Sequence, residues 1–295
     1  MAKQCAQLGA TVLMLNRNSV RADASWRNIE EEFPGRAKQI TCDLMSFDSV
    51  RNAAQQIAEL VGDAGLDVLC NNAAVMAFDN DPTEDGYDIQ MQTNHLSHFL
   101  LTSLLMPQLE RAADDRGEAR IVNHSSVARR GVDLRERYFS NDPSQWGGNV
   151  SCCFQGGRWK RYAQTKMANV VFTYALHDRL TAANSKIKAL VAHPGFAATN
   201  LQVSTQGMSG CLNCIATKQM AQSPADGASG ILTCALHPSV ISGQLYGPCN
   251  KQGNDAMVGR ARLMNEEPKA GLEVREMLWR ASEAATGAKY VFGKP

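Results

Sequence analysis

Short apolar runs alternate along this chain with longer runs of helical periodicity, and this alternation restricts its fold more than any other feature. An apolar stripe at helical spacing, residues 50–61, stands between the second and third of these short runs. Strands that alternate with helices form a parallel sheet with helices on both faces. The sequence therefore predicts an α/β protein with a doubly wound parallel sheet. The strand-like runs are residues 11–15, 39–42, 66–70, 120–124 and 187–192.

Residues that cap helices predict several helix boundaries. Residues 2–8 are typical of a short helix that ends at Gly9, because glycine tolerates the backbone conformation that follows a helix C-terminus. A long helical segment is expected over residues 86–109. Pro224 is expected at the first position of a further helix, with Ser223 as its N-cap.

Polar residues directly follow three of the predicted strands. They are Asn71 and Asn72, Ser125 and Ser126, and residues 193–195, which read His-Pro-Gly. Ligands of open parallel sheets bind beyond the carboxyl ends of the strands. These residues therefore indicate an active site at one edge of the sheet.

Tyr162 and Lys166 lie at the start of a helix-like run that continues through residues 167–176 without Gly or Pro. Side chains four residues apart project from the same helical face, so the phenol and the ammonium can reach one reacting atom. A nearby cation favours the phenolate and is expected to lower the tyrosine pKa, which suits proton exchange with a hydroxyl or carbonyl. Taken alone, the spacing is equally compatible with an ordinary surface pair.

Composition excludes several functional classes. The chain has 295 residues, 44% of them hydrophobic, and a net charge of +1, so nothing indicates a nucleic-acid partner. No apolar run reaches the roughly 18 residues of a membrane span, and no signal peptide is recognisable. Nine cysteines without the spacing of a secreted domain fit a reducing compartment. The location is therefore expected to be cytoplasmic by default, although a targeting peptide upstream of Met1 would escape notice.

Cysteine and histidine pairs make a metal site an alternative to consider. The cysteine pairs have neither a second Cys-x-x-Cys motif nor a histidine at zinc-finger spacing, and no acidic ligand is placed to complete a site with the histidines. We therefore expect ordinary thiols and no metal. The residues in question are Cys152, Cys153, Cys211, Cys214, His95, His98 and His124.

Six segments carry a family resemblance, and they are residues 42–44, 67–74, 93–102, 121–126, 162–166 and 193–195. In their order and residues they resemble the short-chain dehydrogenase/reductase family, nearest its retinol-dehydrogenase and protochlorophyllide-reductase-like branch. The resemblance implies a single Rossmann-like domain. It implies a dinucleotide-binding core in residues 1–200 and a substrate-side extension in residues 201–295.

The resemblance also implies catalytic roles. Tyr162 matches the family's general acid/base, and Lys166 matches the lysine that lowers its pKa and binds the nicotinamide ribose. Ser126 matches the hydroxyl that orients the substrate carbonyl. Asn94 matches the asparagine that holds a proton-relay water beside the lysine. Read separately, the serine could instead be a strand-end cap and the asparagine a helix polar group.

The cofactor implied by the resemblance is a nicotinamide dinucleotide, and no metal is implied. Asp43 is expected at the adenine edge, and Thr199 at the nicotinamide amide or the phosphates, unless it is only a loop hydroxyl. The full set of expected cofactor-binding residues is Arg17, Asp43, Leu44, Asn72, Ala73, Tyr162, Lys166, Pro194, Gly195 and Thr199.

Arg17 decides between the two nicotinamide cofactors. It follows the strand of residues 11–15, where relatives that prefer NAD carry an acidic residue for the ribose 2′-hydroxyl. The segment Asn-Arg-Asn at residues 16–18 offers a guanidinium and no carboxylate, which suits a 2′-phosphate. We therefore expect NADP(H), with a merely solvated Arg17 as the alternative.

The chain departs from the family most strongly at its start. Relatives begin with a strand and a Thr-Gly-x-x-x-Gly-Ile-Gly turn that cradles the pyrophosphate. This sequence starts within the helix after that turn, at Met1. The sheet is therefore expected to lack its usual first strand. We expect this form to bind NADPH weakly or not at all, and a longer product to be the active reductase.

Two further departures are local. Ala74 stands where relatives have glycine, which would be strained only if that position needed a positive φ. The interval between Ser126 and Tyr162 is long for the family and contains Trp146 and Trp159. These tryptophans are candidates for a lid over an apolar carbonyl compound, and a solvated, glycine-rich basic loop is the alternative.

Together these features predict an NADP(H)-dependent oxidoreductase that transfers a hydride between the nicotinamide and a carbonyl or alcohol of a small, apolar substrate. The alternative is a non-catalytic or cofactor-deficient family member that serves as an interaction module. Light-driven reduction of a pigment would be a special case of the first function. A homo-oligomer is a further possibility that the sequence leaves open.

Overall fold

The computed structural model describes residues 1–152, 155–197, 221–264 and 270–293. The main sheet has the strand order β3-β4-β7-β8-β9, in which β3, β4, β7 and β8 are parallel and β9 is antiparallel to β8. The strands are β1 (Val12–Asn16), β2 (Ala37–Thr41), β3 (Val68–Asn71), β4 (Ala119–His124), β5 (Ser151–Cys152), β6 (Gln155–Gly156), β7 (Ile187–Ala192), β8 (Leu245–Pro248) and β9 (Ala261–Leu263).

The helices cover both faces of this sheet. A π-helical segment, Gln92–Leu96, joins α4 to α5. The helices are α1 (Ala2–Gln7), α2 (Val20–Glu32), α3 (Phe47–Val61), α4 (Ile89–Met91), α5 (Ser97–Arg116), α6 (Gly157–Ala182), α7 (Pro224–Gly227), α8 (Ser229–Leu236) and α9 (Leu272–Thr286). None of the helices in the described part of the chain combines the length and apolarity needed to cross a bilayer.

Alternate residues of the central strands belong to two different cores. Ile121 of β4 packs with residues of α5 and α6, whereas Val122 packs with residues of α8. Leu190 of β7 lies in the same core as Val122. Successive side chains of a strand point to opposite faces, so a sheet buried on both faces needs apolar residues at every position. The prediction of a single α/β domain with a doubly wound, mostly parallel sheet is confirmed.

The sheet is interrupted between β3 and β1. Within the described ranges β1 pairs only with β2, in a separate parallel pair, and a cavity of about 950 Å³ is lined by residues of both β1 and β3. All five residues of β1 are half-buried. This arrangement is what the sequence predicts for a sheet that lacks its usual first strand.

The predicted elements are present, with boundaries that shift by a few residues. The first helix ends as expected before Gly9, which has φ of 90°. Pro224 is at the first position of α7, and the Ser223 hydroxyl accepts a hydrogen bond from the amide of Asp226. The helix predicted over residues 86–109 was wrong in its bounds, because Asp88 caps α4 and α5 continues to Arg116.

Candidate active site

The side chains of Tyr162 and Ser126 come together near the carboxyl end of β4, where Ser126 interacts with the Tyr162 phenol. Tyr162 lies in the second turn of α6 and is 5% exposed. Ser126 follows the end of β4, and its Oγ accepts a hydrogen bond from the amide of Ala128 at 3.3 Å. Arg129 fixes the same residue by donating from Nη1 to the Ser126 carbonyl oxygen at 3.0 Å.

Lys166 lies one turn after Tyr162 and is 2% exposed. Its Nζ donates to the main-chain carbonyl of His124 at 3.1 Å and lies 5.7 Å from the centroid of the Tyr162 ring. Ser125 donates from Oγ to the main-chain carbonyl of Lys166 at 2.7 Å, which fastens α6 to the end of β4. The structure therefore brings together Ser126, Tyr162 and Lys166, as the sequence predicted.

Burial controls the ionisation of both titratable groups. It raises the pKa of Tyr162 to about 12, and the interaction with the Ser126 side chain opposes this only in part. Burial also lowers the pKa of Lys166 to about 7. Lys166 was predicted to lower the pKa of Tyr162, but in the folded chain the loss of solvation dominates and the pKa of the phenol is raised. Tyr162 is therefore a protonated phenol at neutral pH.

Asn94 lies within the π-helical segment and is fully buried. Its side chain exchanges two hydrogen bonds with the backbone of Val75, accepting from N–H at 2.8 Å and donating to the carbonyl at 2.9 Å. It also donates to the hydroxyl of Thr165 at 3.0 Å. The described contacts of this side chain thus connect the loop after β3 to α6, one residue before Lys166.

The loop after β7 requires glycine at position 195. Gly195 has φ of 65°, and a Cβ there would lie 2.4 Å from the carbonyl oxygen of Met257. Its amide donates to Nδ1 of His193 at 3.1 Å. His193 faces Asp255 at 3.2 Å, and Asp255 also pairs with Arg129 at 3.2 Å. The Pro194-Gly195 turn and the Ser126 backbone are therefore held by one buried charged cluster.

Most of the other predicted cofactor residues line the cavity between β1 and β3. They follow the carboxyl ends of β1, β2 and β3. This is the edge of the sheet at which the sequence predicted the active site. Thr199 lies outside the described residues, as do Cys153, Cys211 and Cys214. The lining residues predicted from the sequence are Arg17, Asp43, Leu44, Asn72 and Ala73.

Comparison with known proteins identifies the family. The family model for short chain dehydrogenases matches residues 1–138. Retinol dehydrogenase 14 of Mus musculus is 31% identical over 302 residues, covering 97% of this chain and 81% of that protein. The chain belongs to the short-chain dehydrogenase family. Short-chain dehydrogenase TIC 32 A, chloroplastic, of Brassica napus is 33% identical over 258 residues, covering 84% of this short-chain dehydrogenase and 76% of the relative.

Solved structures give the same result. A crystal structure of an uncharacterised protein from Mycobacterium paratuberculosis has a TM-score of 0.72 and 30% identity, covering 99% of this chain and 89% of that one. A short-chain dehydrogenase from Burkholderia cenocepacia, crystallised with NADP, has a TM-score of 0.61 at 24% identity, covering 83% and 89% of the two chains, which shows the shared fold. This short-chain dehydrogenase is an oxidoreductase of the retinol-dehydrogenase-like branch.

The long interval before Tyr162 is folded differently from both sequence interpretations. Trp146 is fully buried and donates from Nε1 to the Ser140 carbonyl at 2.7 Å, so its interpretation as a lid is wrong. Trp159 packs edge-on against Tyr162 with ring centroids 6.2 Å apart. The basic loop is not simply solvated either, because Arg161 is buried against Asp88 at 3.0 Å.

Ala74 has no positive φ, so the backbone strain considered at this position is absent. A different alanine has a positive φ. Among the described non-glycine residues, positive φ occurs only at Ala77, with φ of 55°, and at Asn184. Ala77 is fully buried beside Met76 and Tyr162. Its sequence neighbours carry no turn signal that would have identified it.

Of the three histidines considered as metal ligands, His95 and His98 are buried and His124 is half-buried, and all three are neutral at pH 7. Burial lowers the pKa of His95 and His124 to about 3 and that of His98 to about 4. Within the described ranges, no group of three His, Cys, Asp or Glu residues is arranged to hold a metal ion. His95 instead joins a hydrogen-bond network with Asn169, which sequence reasoning missed because Asn169 has no motif of its own.

Proposed function

We propose that this short-chain dehydrogenase transfers a hydride between NADP(H) and the carbonyl or alcohol carbon of a small, apolar substrate. The observation that carries the proposal is the proximity of three side chains: Ser126 interacts with the Tyr162 phenol, and the buried Lys166 has its Nζ 5.7 Å from the centroid of the Tyr162 ring. Two hydroxyls that converge at the edge of a parallel sheet can bind one substrate oxygen together. NADPH, when bound, supplies the hydride.

The protonated state of Tyr162 suits carbonyl reduction. Because burial raises its pKa to about 12, the phenol still carries a proton at neutral pH and can donate it to the oxygen on which negative charge develops. Ser126 orients that oxygen from the other side. In its charged form Lys166 stabilises the phenolate that remains after proton donation, and it regains a proton readily only below its lowered pKa of about 7.

The described residues fit a nicotinamide dinucleotide at its two ends. Arg17 is an exposed guanidinium at the rim of the cavity and would meet a ribose 2′-phosphate, while Asp43 would meet the adenine. Lys166 would meet the nicotinamide ribose. The Burkholderia structure with NADP supports the same choice of cofactor.

An apolar substrate is supported by the surroundings of Tyr162. Its ring packs in a small cluster with Met76 and Ala77, against which Trp159 and Ala128 also pack. Apolar side chains around the proposed acid favour hydrocarbon groups next to the reacting carbonyl. The relative named Retinol dehydrogenase 14 is consistent with such a substrate.

A comparison of Tyr162→Phe with the wild type tests the proposal. Purified protein is assayed with NADPH and a panel of apolar carbonyl compounds that includes retinaldehyde, aromatic ketones and long-chain aldehydes. We expect Tyr162→Phe to lower kcat by a factor of about 10² to 10⁴, because it removes the general acid. Tyr174→Phe is the matched control, since Tyr174 is buried on the same helix and its loss should leave kcat nearly unchanged. Equal turnover by wild type and Tyr162→Phe would refute the assignment.

A cofactor-deficient family member is the second candidate, and the interruption between β1 and β3 favours it. A nucleotide bound across this gap would contact a strand that has only one neighbour. Titration of the 295-residue chain with NADPH, followed by fluorescence, separates the two candidates. Saturable binding at micromolar concentration supports the enzyme, and no binding together with no turnover supports the deficient form.

A further inference from the structure

Asn169 lies three residues after Lys166 on α6 and is 2% exposed. Its Nδ2 donates to two main-chain carbonyls, that of Asn94 at 3.1 Å and that of His124 at 2.9 Å. The His124 carbonyl is also the acceptor for Nζ of Lys166 at 3.1 Å. Asn169 therefore connects the π-helical segment, the end of β4 and the anchoring point of the lysine.

The orientation of this amide is fixed by its neighbours. Both hydrogens of Nδ2 are donated to carbonyls, so Oδ1 of Asn169 must accept from Nδ1 of His95, 3.2 Å away. Burial lowers the pKa of His95 to about 3, so the neutral ring carries a single hydrogen, on Nδ1. Its Nε2 then accepts from the hydroxyl of Ser282 at 2.9 Å. A flipped amide would point Oδ1 at two carbonyl oxygens and lose these bonds.

The network extends to the C-terminal helix. Ser282 lies on α9, whose Trp279 packs against Phe99 and Phe172 with ring centroids 5.2 and 6.1 Å apart. A π-helical segment is uncommon and occurs often at functional sites. Here the Asn94 carbonyl of that segment accepts from Asn169 and also from Nδ1 of His98 at 3.1 Å. Side chains of α5 and α6 thus meet at carbonyls next to the proposed catalytic groups, and Ser282 of α9 joins the network through His95.

We propose that Asn169 is a positioning residue of this active site: it holds the carbonyls of Asn94 and His124 in place and thereby fixes the Lys166 ammonium relative to Tyr162. His95 and Ser282 lock the orientation of its amide. The inference rests on the proposed function of the same site. It predicts that replacing Asn169 impairs catalysis more than replacing another buried residue that destabilises the protein to the same extent.

The test compares Asn169→Ala with Asn123→Ala. Asn123 is an equally buried asparagine whose amide donates to Thr173 at 2.9 Å and accepts from Asn71 at 2.9 Å, with no contact to the proposed catalytic residues among its described hydrogen bonds. At temperatures where both variants are fully folded, we expect kcat to fall about 10- to 100-fold in Asn169→Ala and less than about twofold in Asn123→Ala. The KM for the carbonyl compound should change by less than about threefold in both.

Two NMR measurements give readouts that do not depend on turnover. Long-range ¹H–¹⁵N spectra should show His95 as the Nδ1–H tautomer between about pH 5 and pH 8 in the wild type, with the Nε2–H form gained in Asn169→Ala. Titration of the Lys166 Nζ resonance should give a midpoint that moves by more than about half a pH unit in Asn169→Ala. The titratable groups that face Lys166 are Tyr162, His98 and His124, and neither variant replaces them.

The outcomes separate the inference from the function on which it rests. A wild type that shows no turnover, with the Lys166 titration shifted only in Asn169→Ala, would refute the proposed function and support positioning by Asn169. Active variants with equal kcat and unshifted Lys166 titrations would refute the positioning role alone. An Nε2–H tautomer in the wild type would also overturn it, because Asn169 could not then have the orientation described.

Discussion

The central strand β4 and the strand β1 beside the gap are both short parallel strands, yet they differ in their surroundings. β4 pairs with β3 on one side and β7 on the other, and five of its six residues are buried. Among the described strands β1 pairs with β2 alone, and none of its residues is fully buried, although four of its five residues are apolar. Neighbours on both edges, rather than hydropathy alone, therefore decide how deeply a strand is buried.

The difference extends to the two halves of the candidate site. Lys166 and Asn169 bind the carbonyl at the end of β4, so the proposed proton-transfer groups rest on the fully paired part of the sheet. Arg17 follows β1, so the proposed phosphate contact rests on the part with a free edge. Because rigid support makes a site precise, we expect the catalytic half to be better ordered than the cofactor half.

The largest expected effect is the pH dependence of stability that comes from Lys166, whose ammonium is buried next to the carboxyl end of β4. Lys166 has a pKa lowered to about 7 in the folded protein, while an unfolded lysine titrates near 10.5. Between these values the unfolded chain binds more protons, so the wild type gains stability as the pH rises and is penalised at and below pH 7. Lys166→Met should therefore stabilise the protein at low pH, and this advantage should shrink by about 3 kcal/mol between about pH 6 and about pH 9.

Urea denaturation across this pH range measures the effect. Lys38→Met on β2 is the control, because Lys38 is exposed and its charge remains in water in both states. An advantage of Lys166→Met that stays constant with pH would show that the ammonium is not desolvated on folding.

A smaller effect is the difference in unfolding free energy, about 2 kcal/mol, between truncating one leucine in each region. Leu190 of β7 is fully buried, so Leu190→Ala should lower the free energy of unfolding by about 2–5 kcal/mol. Leu13 of β1 is half-buried, and Leu13→Ala should cost about 2 kcal/mol less than Leu190→Ala does. Urea denaturation of both variants gives the difference, and equal losses would mean that β1 is as well packed as the main sheet.

The smallest effect is a change in cofactor affinity. Arg17→Ala should weaken NADPH binding about tenfold, which is about 1.4 kcal/mol, and leave NADH binding unchanged, because only NADPH has the 2′-phosphate. Arg21→Ala is the matched control, since Arg21 is exposed and also lines the cavity. Titrations of both variants by fluorescence check this, and an equal loss in the two would indicate non-specific attraction.

The sequence predicted the proposed catalytic residues better than the side chains that hold them in place. Tyr162, Lys166 and Ser126 could be found because a fixed spacing on one helix and a strand end place them predictably. Asn169 and His95 could not, because their partners are main-chain carbonyls and Ser282, which are distant in the sequence. Trp146 was a candidate for a lid, with a solvated basic loop as the alternative for its segment, but the fold buries Trp146 against the Ser140 carbonyl and Arg161 against Asp88.

The amino-acid sequence by itself determined the strand–helix alternation, the edge at which the site lies and the pairing of Tyr162 with Lys166 on one helix. These features depend on periodicity and on contacts within a few residues. Only the tertiary structure decided the ionisation of Tyr162 and Lys166, since the loss of water around each depends on everything packed against it. It also decided that β1 and β3, on either side of the predicted missing strand, do not pair directly with each other, because strand pairing is a contact between segments that are distant in the sequence.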